Sequence, residues 1–271
     1  MRPFEWGPAL LFCPADRPER FRTALERADA VILDLEDAVL PADKDAARQN
    51  LIDADADIDP DRVIVRVNAP DSDHFADDLA ALEQTGFRTV MVAKTESAES
   101  LGAFDDRYSL IALCETARGI HASDSIAAHP LVTAMMWGAE DLVASLGGTS
   151  SRDATGGYRE VARYARSRVL IESNAHGKAA IDAVFLDLDD TQGLETEATD
   201  AAASGFRATA CIHPNQVAVI RAAYRPDEAE AEWARAVLQA AAQERGVFRF
   251  RGRMIDEPVL RHARSIIAHR S

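Results

Sequence analysis

Cysteine is scarce in this chain: three among 271 residues, Cys13, Cys114 and Cys211, far apart and with no C-x-x-C pair. An odd number without paired spacing speaks against a disulfide framework and suits a reducing compartment. Each lies in an apolar stretch, where a cysteine reads as a small buried hydrophobe and not as a nucleophile. Long hydrophobic runs are also missing, since none approaches the roughly eighteen apolar residues of a membrane span. The start, Met1-Arg2-Pro3-Phe4-Glu5-Trp6, holds no apolar signal core, so a cytoplasmic location is expected. Positive charge is short as well. Thirty Lys+Arg face 45 Asp+Glu, a formal net charge of −15. Such acidity argues against nucleic acid and anionic membrane as main partners and leaves small ligands open, because those respond to local charge. Neither a G-x-G-x-x-G fingerprint nor a Walker loop is present.

What is there is ordinary globular composition, 47% hydrophobic and 28% charged, arranged in a regular series of short apolar runs. The eight runs are Ala9–Cys13, Ala30–Leu35, Val63–Val67, Thr89–Ala93, Leu110–Cys114, Val132–Trp137, Ala183–Leu188 and Thr209–Ile212. Most are near-continuous apolar and rich in β-branched residues, as parallel strands covered on both faces must be. Helical spacing lies between them, with Phe75, Leu79 and Leu82 at i, i+4, i+7, and Val161, Ala165 and Val169 at i, i+4, i+8. Alternating strand and helix give an α/β fold, and eight strands in about 250 residues match a (β/α)8 TIM barrel.

Two segments depart from a minimal barrel. A Gly/Ser/Thr-rich loop, Gly147–Gly157, follows the sixth run and is a candidate cover for a ligand, with an ordinary surface loop as the plain alternative. After the eighth run, a helix over Asp227–Glu244 fits the barrel's last helix. The predicted division is therefore a barrel of residues 1–245 and a C-terminal extension of residues 246–271. That extension carries Arg249, Arg251, Arg253, Arg261, Arg264 and Arg270 against Asp256 and Glu257. A basic tail on an acidic body can dock on another subunit, meet a phosphate-bearing ligand, or simply be solvated.

Barrel chemistry sits at the carboxyl ends of the strands. There the sequence places Asp34, Glu36 and Asp37, then Arg66 and Asn68, Lys94, Glu115, the run Gly138-Ala139-Glu140-Asp141, then Asp187, Asp189 and Asp190, and finally His213. Unpaired buried carboxylates are expensive, and Arg66 with Lys94 cannot neutralise Glu36, Asp37, Glu115, Glu140 and Asp141 together. A divalent metal relieves the excess. Carboxylates without clustered His or Cys favour Mg2+ or Mn2+ over zinc, and Glu115 and Asp141 follow adjacent strands, so they can converge on one ion. Salt bridging across the barrel mouth is the plain alternative. Lys94 is expected to pair with Glu36 or Asp37, and His213 to be structural.

Seven stretches resemble the citrate lyase β-subunit-like family, within the metal-dependent HpcH/HpaI-type aldolases. They are LFCPADRPERF (Leu11–Phe21), VILDLEDAV (Val31–Val39), VRVN (Val65–Asn68), ETARG (Glu115–Gly119), MMWGAEDL (Met135–Leu142), CIHPNQV (Cys211–Val217) and RGRMIDEPVL (Arg251–Leu260). They span nearly the whole chain in family order. The resemblance implies a TIM barrel, usually trimeric, acting with Mg2+ on CoA or carrier thioesters. It implies Glu115 and Asp141 as metal ligands, Arg66 as the contact to the substrate's oxo or hydroxyl oxygen, and Glu36 and Asp37 as carboxylates near metal-bound water. It also implies that the C-terminal segment covers a neighbouring subunit's site, with Asp256 as its proton-transferring aspartate.

The expected reaction is reversible cleavage of a 3-hydroxyacyl-CoA, of the malyl-CoA or citramalyl-CoA type, to an acyl-CoA and a 2-oxo acid. Substrate contacts are expected from Arg66, from the backbone of Gly138, Ala139, Glu140 and Asp141, and from Arg17 toward a CoA phosphate, with Arg152 a weaker candidate for that role. The alternatives are a citrate lyase β subunit acting on a carrier-bound citryl group, a malyl-CoA thioesterase or malate synthase, and a non-catalytic CoA-binding or scaffold protein.

Overall fold

The computed structural model describes residues 4–225, 227–244 and 246–268. Residues 1–3 of the N-terminal reading and Arg270 of the basic extension lie outside the described residues. Eight parallel strands close into a barrel: β1 (Ala9–Pro14), β2 (Ala30–Asp34), β3 (Val63–Val67), β4 (Thr89–Val92), β5 (Ser109–Cys114), β6 (Val132–Trp137), β7 (Ala179–Asp182) and β8 (Ala208–Cys211). Closure is made by β1 pairing with β8, Leu10 opposite Ala210. Alternate residues fill the interior, among them Leu10, Ile32, Ile64, Met91, Ile111, Leu113, Met136 and Ile181. The barrel centre is thus a packed core, and chemistry is left to the strand ends.

Helices α1 (Phe21–Arg27), α2 (Lys44–Ala54) and α3 (Phe75–Leu82) follow the first three strands. Two short helices, α4 (Ala117–His121) and α5 (Ser123–Ala127), follow β5; α6 (Ala139–Ser145) and α7 (Glu160–Ala175) follow β6. Next come α8 (Thr191–Ser204) after β7 and α9 (Pro214–Ala223) after β8. The buried face of α7 runs through Ala162, Ala165, Val169 and Ser173, so Val161, predicted on that face, points outward.

Two boundaries differ from the sequence reading. The seventh strand is Ala179–Asp182, which comes before the apolar run Ala183–Leu188. Asp182 ends it by accepting from the Trp137 indole at 2.6 Å and pairing with Arg166 at 2.8 Å. The run beyond is a crossing segment. Phe185 is buried and its carbonyl accepts from Gln216, while Leu186 and Leu188 are exposed. Asp187 and Asp190 therefore lie off the strand end, in the turn before α8, where Asp190 caps Gly193 N–H at 2.8 Å.

The second difference is the last barrel helix, which is α9 and not the helix predicted over Asp227–Glu244. The chain divides into compact units Met1–Ile220 and Arg221–Ser271 instead of at 245/246. The second unit holds α10 (Glu228–Ala241), a hairpin of β9 (Phe248–Phe250) and β10 (Arg253–Ile255), and α11 (Glu257–Ala268). Asp227 and Glu230 form a reciprocal capping box at the start of α10. Ala231, Ala234, Val237, Ile255, Ala263 and Ile266 form a core of this unit's own. That core is why α10 belongs with the tail. No helix among the described residues is long and apolar enough to cross a membrane.

Candidate active site

The carboxyl ends of β2 to β6 gather the predicted acids. Asp34, the last residue of β2, is buried and holds both Arg66 Nε and Nη2 at 2.6 Å from the neighbouring β3. The remaining Arg66 nitrogen, Nη1, reaches Glu36 at 3.1 Å, and the guanidinium lies over the Phe12 ring at 4.8 Å. Burial works against the Arg66 charge, but Asp34 and Glu36 more than offset it, so the guanidinium stays charged. Lys94, just past β4, pairs with Glu36 and with Asp37 at 3.0 Å, and stands 3.5 Å from Asp141. It therefore bridges both acids it was expected to choose between. Burial pushes the Glu36 carboxyl up, against the pull of Arg66 and Lys94. In Asp37 burial works the same way but is outweighed, and the Lys94 hydrogen bond holds it low.

Glu115, just past β5, is 3% exposed. It accepts a hydrogen bond from Lys94 N–H at 3.2 Å, and among the described residues no side-chain cation pairs with it. Burial, then the charge of Asp141, pushes its carboxyl up to about 8. Gly138 lets it fit, because a Cβ there would stand 2.6 Å from Glu115 Oε2. Gly138→Ala is accordingly expected to displace Glu115 and lower activity about 10²-fold with a smaller loss of stability; steady-state rates and melting curves measured together check this.

These groups fit a hard divalent ion. Five carboxylates, Asp34, Glu36, Asp37, Glu115 and Asp141, face two side-chain cations, and Arg66 is largely committed to Asp34. No cluster of three or more metal-ligating side chains exists among the described residues. Two oxygen donors beside open solvent are the donor set of Mg2+, which usually keeps waters and takes one or two carboxylates.

The cost of burying Glu115 is measurable without metal. Its folded value, about 8, lies above the ordinary 4.5, so the unfolded chain gives up that proton first. Stability therefore falls as pH rises from the ordinary carboxylate range through about 8, by on the order of a few kcal/mol. In EDTA, the melting temperature of Glu115→Gln is expected to hold where wild type declines between pH 5 and pH 9; parallel curves would refute the burial argument.

Of the supports around these acids, Asn68 was placed at a strand end by sequence, while Lys44, Arg48 and Asp78 were not singled out. Lys44, buried on α2, donates to the carbonyls of Leu35 and Glu36 at 2.7 and 3.1 Å and to Asn68 Oδ1 at 2.8 Å. Asn68 in turn donates to Leu35 O and to Asp78, which Arg48 neutralises at 2.8 Å. This network fixes the segment carrying Glu36. Beyond the strand-end position of Asn68, its sequence signal was a set of charged residues spaced along apolar helix faces.

The remaining predicted residues are more dispersed. Ala139 is buried at the start of α6, and Glu140 turns away from the acids to accept from Ser151 at 2.6 Å. Arg17 is 56% exposed in the loop after β1, 3.7 Å from Asp16. Arg152 is committed elsewhere. It pairs with Glu197 and stacks on Tyr158 at 4.2 Å and Phe185 at 5.0 Å, so it pins the Gly-rich loop instead of waiting for a phosphate. His213 Nδ1 accepts from Asn215 N–H at 3.2 Å, a structural role. Asp256 lies in the second unit, where its carboxylate caps Val259 N–H of α11 at 3.2 Å. All three cysteines are free and buried, and burial lifts the Cys13 thiol to about 11, which leaves it inert.

Known proteins are similar to this chain in sequence and fold. A citrate lyase subunit beta-like protein of Mycobacterium tuberculosis is 53% identical over 261 residues, covering 96% of this chain and 94% of its own. The mitochondrial citramalyl-CoA lyase of Mus musculus is 31% identical over 290 residues, covering 96% and 84%. The crystal structure of CitE from Mycobacterium tuberculosis in complex with magnesium, acetoacetate and coenzyme A superposes with a TM-score of 0.93 at 52% identity, covering 97% of this chain and 98% of that one. Residues 9–214, from the first strand to the start of α9, match the HpcH/HpaI aldolase/citrate lyase family. With the barrel, its carboxylate-lined mouth and five of the seven family motifs wholly within that span, this chain belongs to the HpcH/HpaI aldolase/citrate lyase family.

Proposed function

We propose that this protein is a Mg2+-dependent carbon–carbon lyase that cleaves a 3-hydroxyacyl-CoA of the malyl-CoA or citramalyl-CoA type, reversibly, to an acyl-CoA and a 2-oxo acid. The observation that carries the reading is Glu115 beside Asp141, a buried carboxylate whose neighbour raises its proton affinity and to which no side-chain cation is paired among the described residues. Glu115 and Asp141 would hold the ion, and Mn2+ meets the same demands. When bound, the ion supplies Lewis-acid polarisation of the substrate's hydroxyl and carboxylate oxygens.

The chain's own groups do the rest. Arg66, fixed by Asp34, presents a permanent positive charge where the alkoxide develops. Glu36, in contact with both Arg66 and Lys94, takes the hydroxyl proton; Asp37 shares Lys94 with it. The bond between the second and third carbons then breaks. Its electron pair passes into the thioester as an enolate, and the third carbon leaves as the carbonyl of the 2-oxo acid. Asp256 delivers the proton that quenches the enolate at the second carbon. Backbone N–H groups of Gly138–Asp141 face the substrate carboxylate, and Arg17 serves the CoA phosphates. We assign the second unit, residues 221–271, to covering a neighbouring subunit's site, which implies a homo-oligomer, a trimer by resemblance; a cytoplasmic setting fits the bacterial relative.

The test is a panel of 3-hydroxyacyl-CoA thioesters incubated with purified protein and Mg2+, following release of 2-oxo acid. Cleavage of at least one, abolished by EDTA and restored by Mg2+, is expected. A rate that ignores EDTA, or no cleavage across the panel, would overturn the reading.

A further inference from the structure

Lys94 touches four acids at once. Its ammonium meets Glu36, Asp37 at 3.0 Å and Asp141 at 3.5 Å, while its backbone N–H donates to Glu115 at 3.2 Å. To turn both groups onto the same cluster, the residue sits in the left-handed region at φ 46°, a strained conformation for a residue with a side chain. An ordinary ion pair needs no such backbone. The strain is spent on aiming one amide and one ammonium at the two sides of a single charge cluster.

We propose that Lys94 is an internal counter-ion that occupies Asp141 in place of a divalent cation and so sets how tightly the metal is held. The inference rests on Glu115 and Asp141 being the metal's ligands. Ammonium and divalent ion are drawn to the same Asp141 carboxylate. When the ion takes Asp141, Lys94 keeps Glu36 and Asp37, so its positive charge stays nearby and opposes the ion. Lys94 is thus a positioning residue whose charge weakens metal binding. A purely structural lysine does the opposite, since its loss loosens the cluster and weakens the metal site.

The sign of one measurement decides between them. Mg2+ is titrated calorimetrically into metal-stripped, full-length wild type, Lys94→Gln, Lys94→Gly, Lys94→Arg and Glu115→Ala, all at pH 9. Glutamine removes the charge and keeps hydrogen-bonding reach. Glycine removes the side chain and suits the positive φ, so it folds where another substitution is strained. Lys94→Gln and Lys94→Gly are expected to bind Mg2+ about tenfold tighter than wild type, and Lys94→Arg within about twofold of it. If wild type binds through Glu115 but both neutral variants bind equally or more weakly, the counter-ion role is overturned and the metal site stands. If wild type and Glu115→Ala behave alike, the metal site itself is overturned, and the role of Lys94 with it.

Discussion

Glu115→Ala and Asp141→Ala are each expected to lose about 10³-fold or more in kcat for cleavage of the preferred 3-hydroxyacyl-CoA, with no comparable loss of fold. Glu115 is almost fully enclosed and unpaired by a side-chain cation among the described residues, and Asp141 pushes its proton affinity higher. Neither property favours stability. Removing Glu115 deletes a destabilising burial, so the metal-free variant is expected to melt at or above the wild-type temperature while its activity disappears. Asp141→Ala relieves Glu115 of a like charge, so its carboxyl is expected to move back down toward the ordinary range. A variant that is stable and inactive, and that fails to shift its melting point with added Mg2+, separates lost metal from lost fold. Either variant turning over at the wild-type rate would remove the metal ligands from the proposal.

The fold was legible because a barrel of covered parallel strands needs apolar runs at regular spacing, and seven of the eight runs overlap their strands. The seventh misled because its segment is apolar for another reason. Phe185 is buried beside α9 while Leu186 and Leu188 face outward, and the true strand carries Asp182, a charged residue satisfied by Trp137 and Arg166 from distant positions. Periodicity sees polarity and not long-range partners. The helix over Asp227–Glu244 was found, but nothing in its pattern told that Ala231, Ala234 and Val237 pack on the tail.

At the strand ends, which residues gather was legible and which partner each one takes was not. Strand-end position picked out Glu36, Asp37, Arg66, Lys94, Glu115 and Asp141 together. It did not reveal that Glu140 belongs to Ser151, that Arg152 belongs to Glu197, or that Asp34 commits two nitrogens of Arg66. Each of those pairings spans ten or more residues of chain. Gly138 could be read only as a turn glycine, because the Glu115 oxygen that forbids a side chain there comes from another strand end.

Arg66 gives the second large effect, and its partner Asp34 makes the effect interpretable. Arg66→Met leaves Asp34, 1% exposed, as a buried charge without its cation, answered by the Glu36 and Ala38 N–H groups but by no opposite charge from position 66, which costs about 3 kcal/mol. Loss of activity in that variant alone would therefore be ambiguous. The double variant Arg66→Met/Asp34→Asn removes both charges and keeps a side-chain oxygen to accept from the Glu36 N–H, so no unpaired buried charge remains. It is expected to regain the wild-type melting temperature to within a few degrees and to remain depressed about 10³-fold in kcat, because no positive charge meets the alkoxide. Lys at 66 does not rescue either property fully. An ammonium cannot satisfy both Asp34 oxygens at once while reaching Glu36 and covering Phe12, so Arg66→Lys is expected to retain part of the stability and still lose about 10²-fold in rate. Melting curves and kcat for the three variants settle the point. If the double variant regains activity with its stability, Arg66 serves the fold and not the reaction.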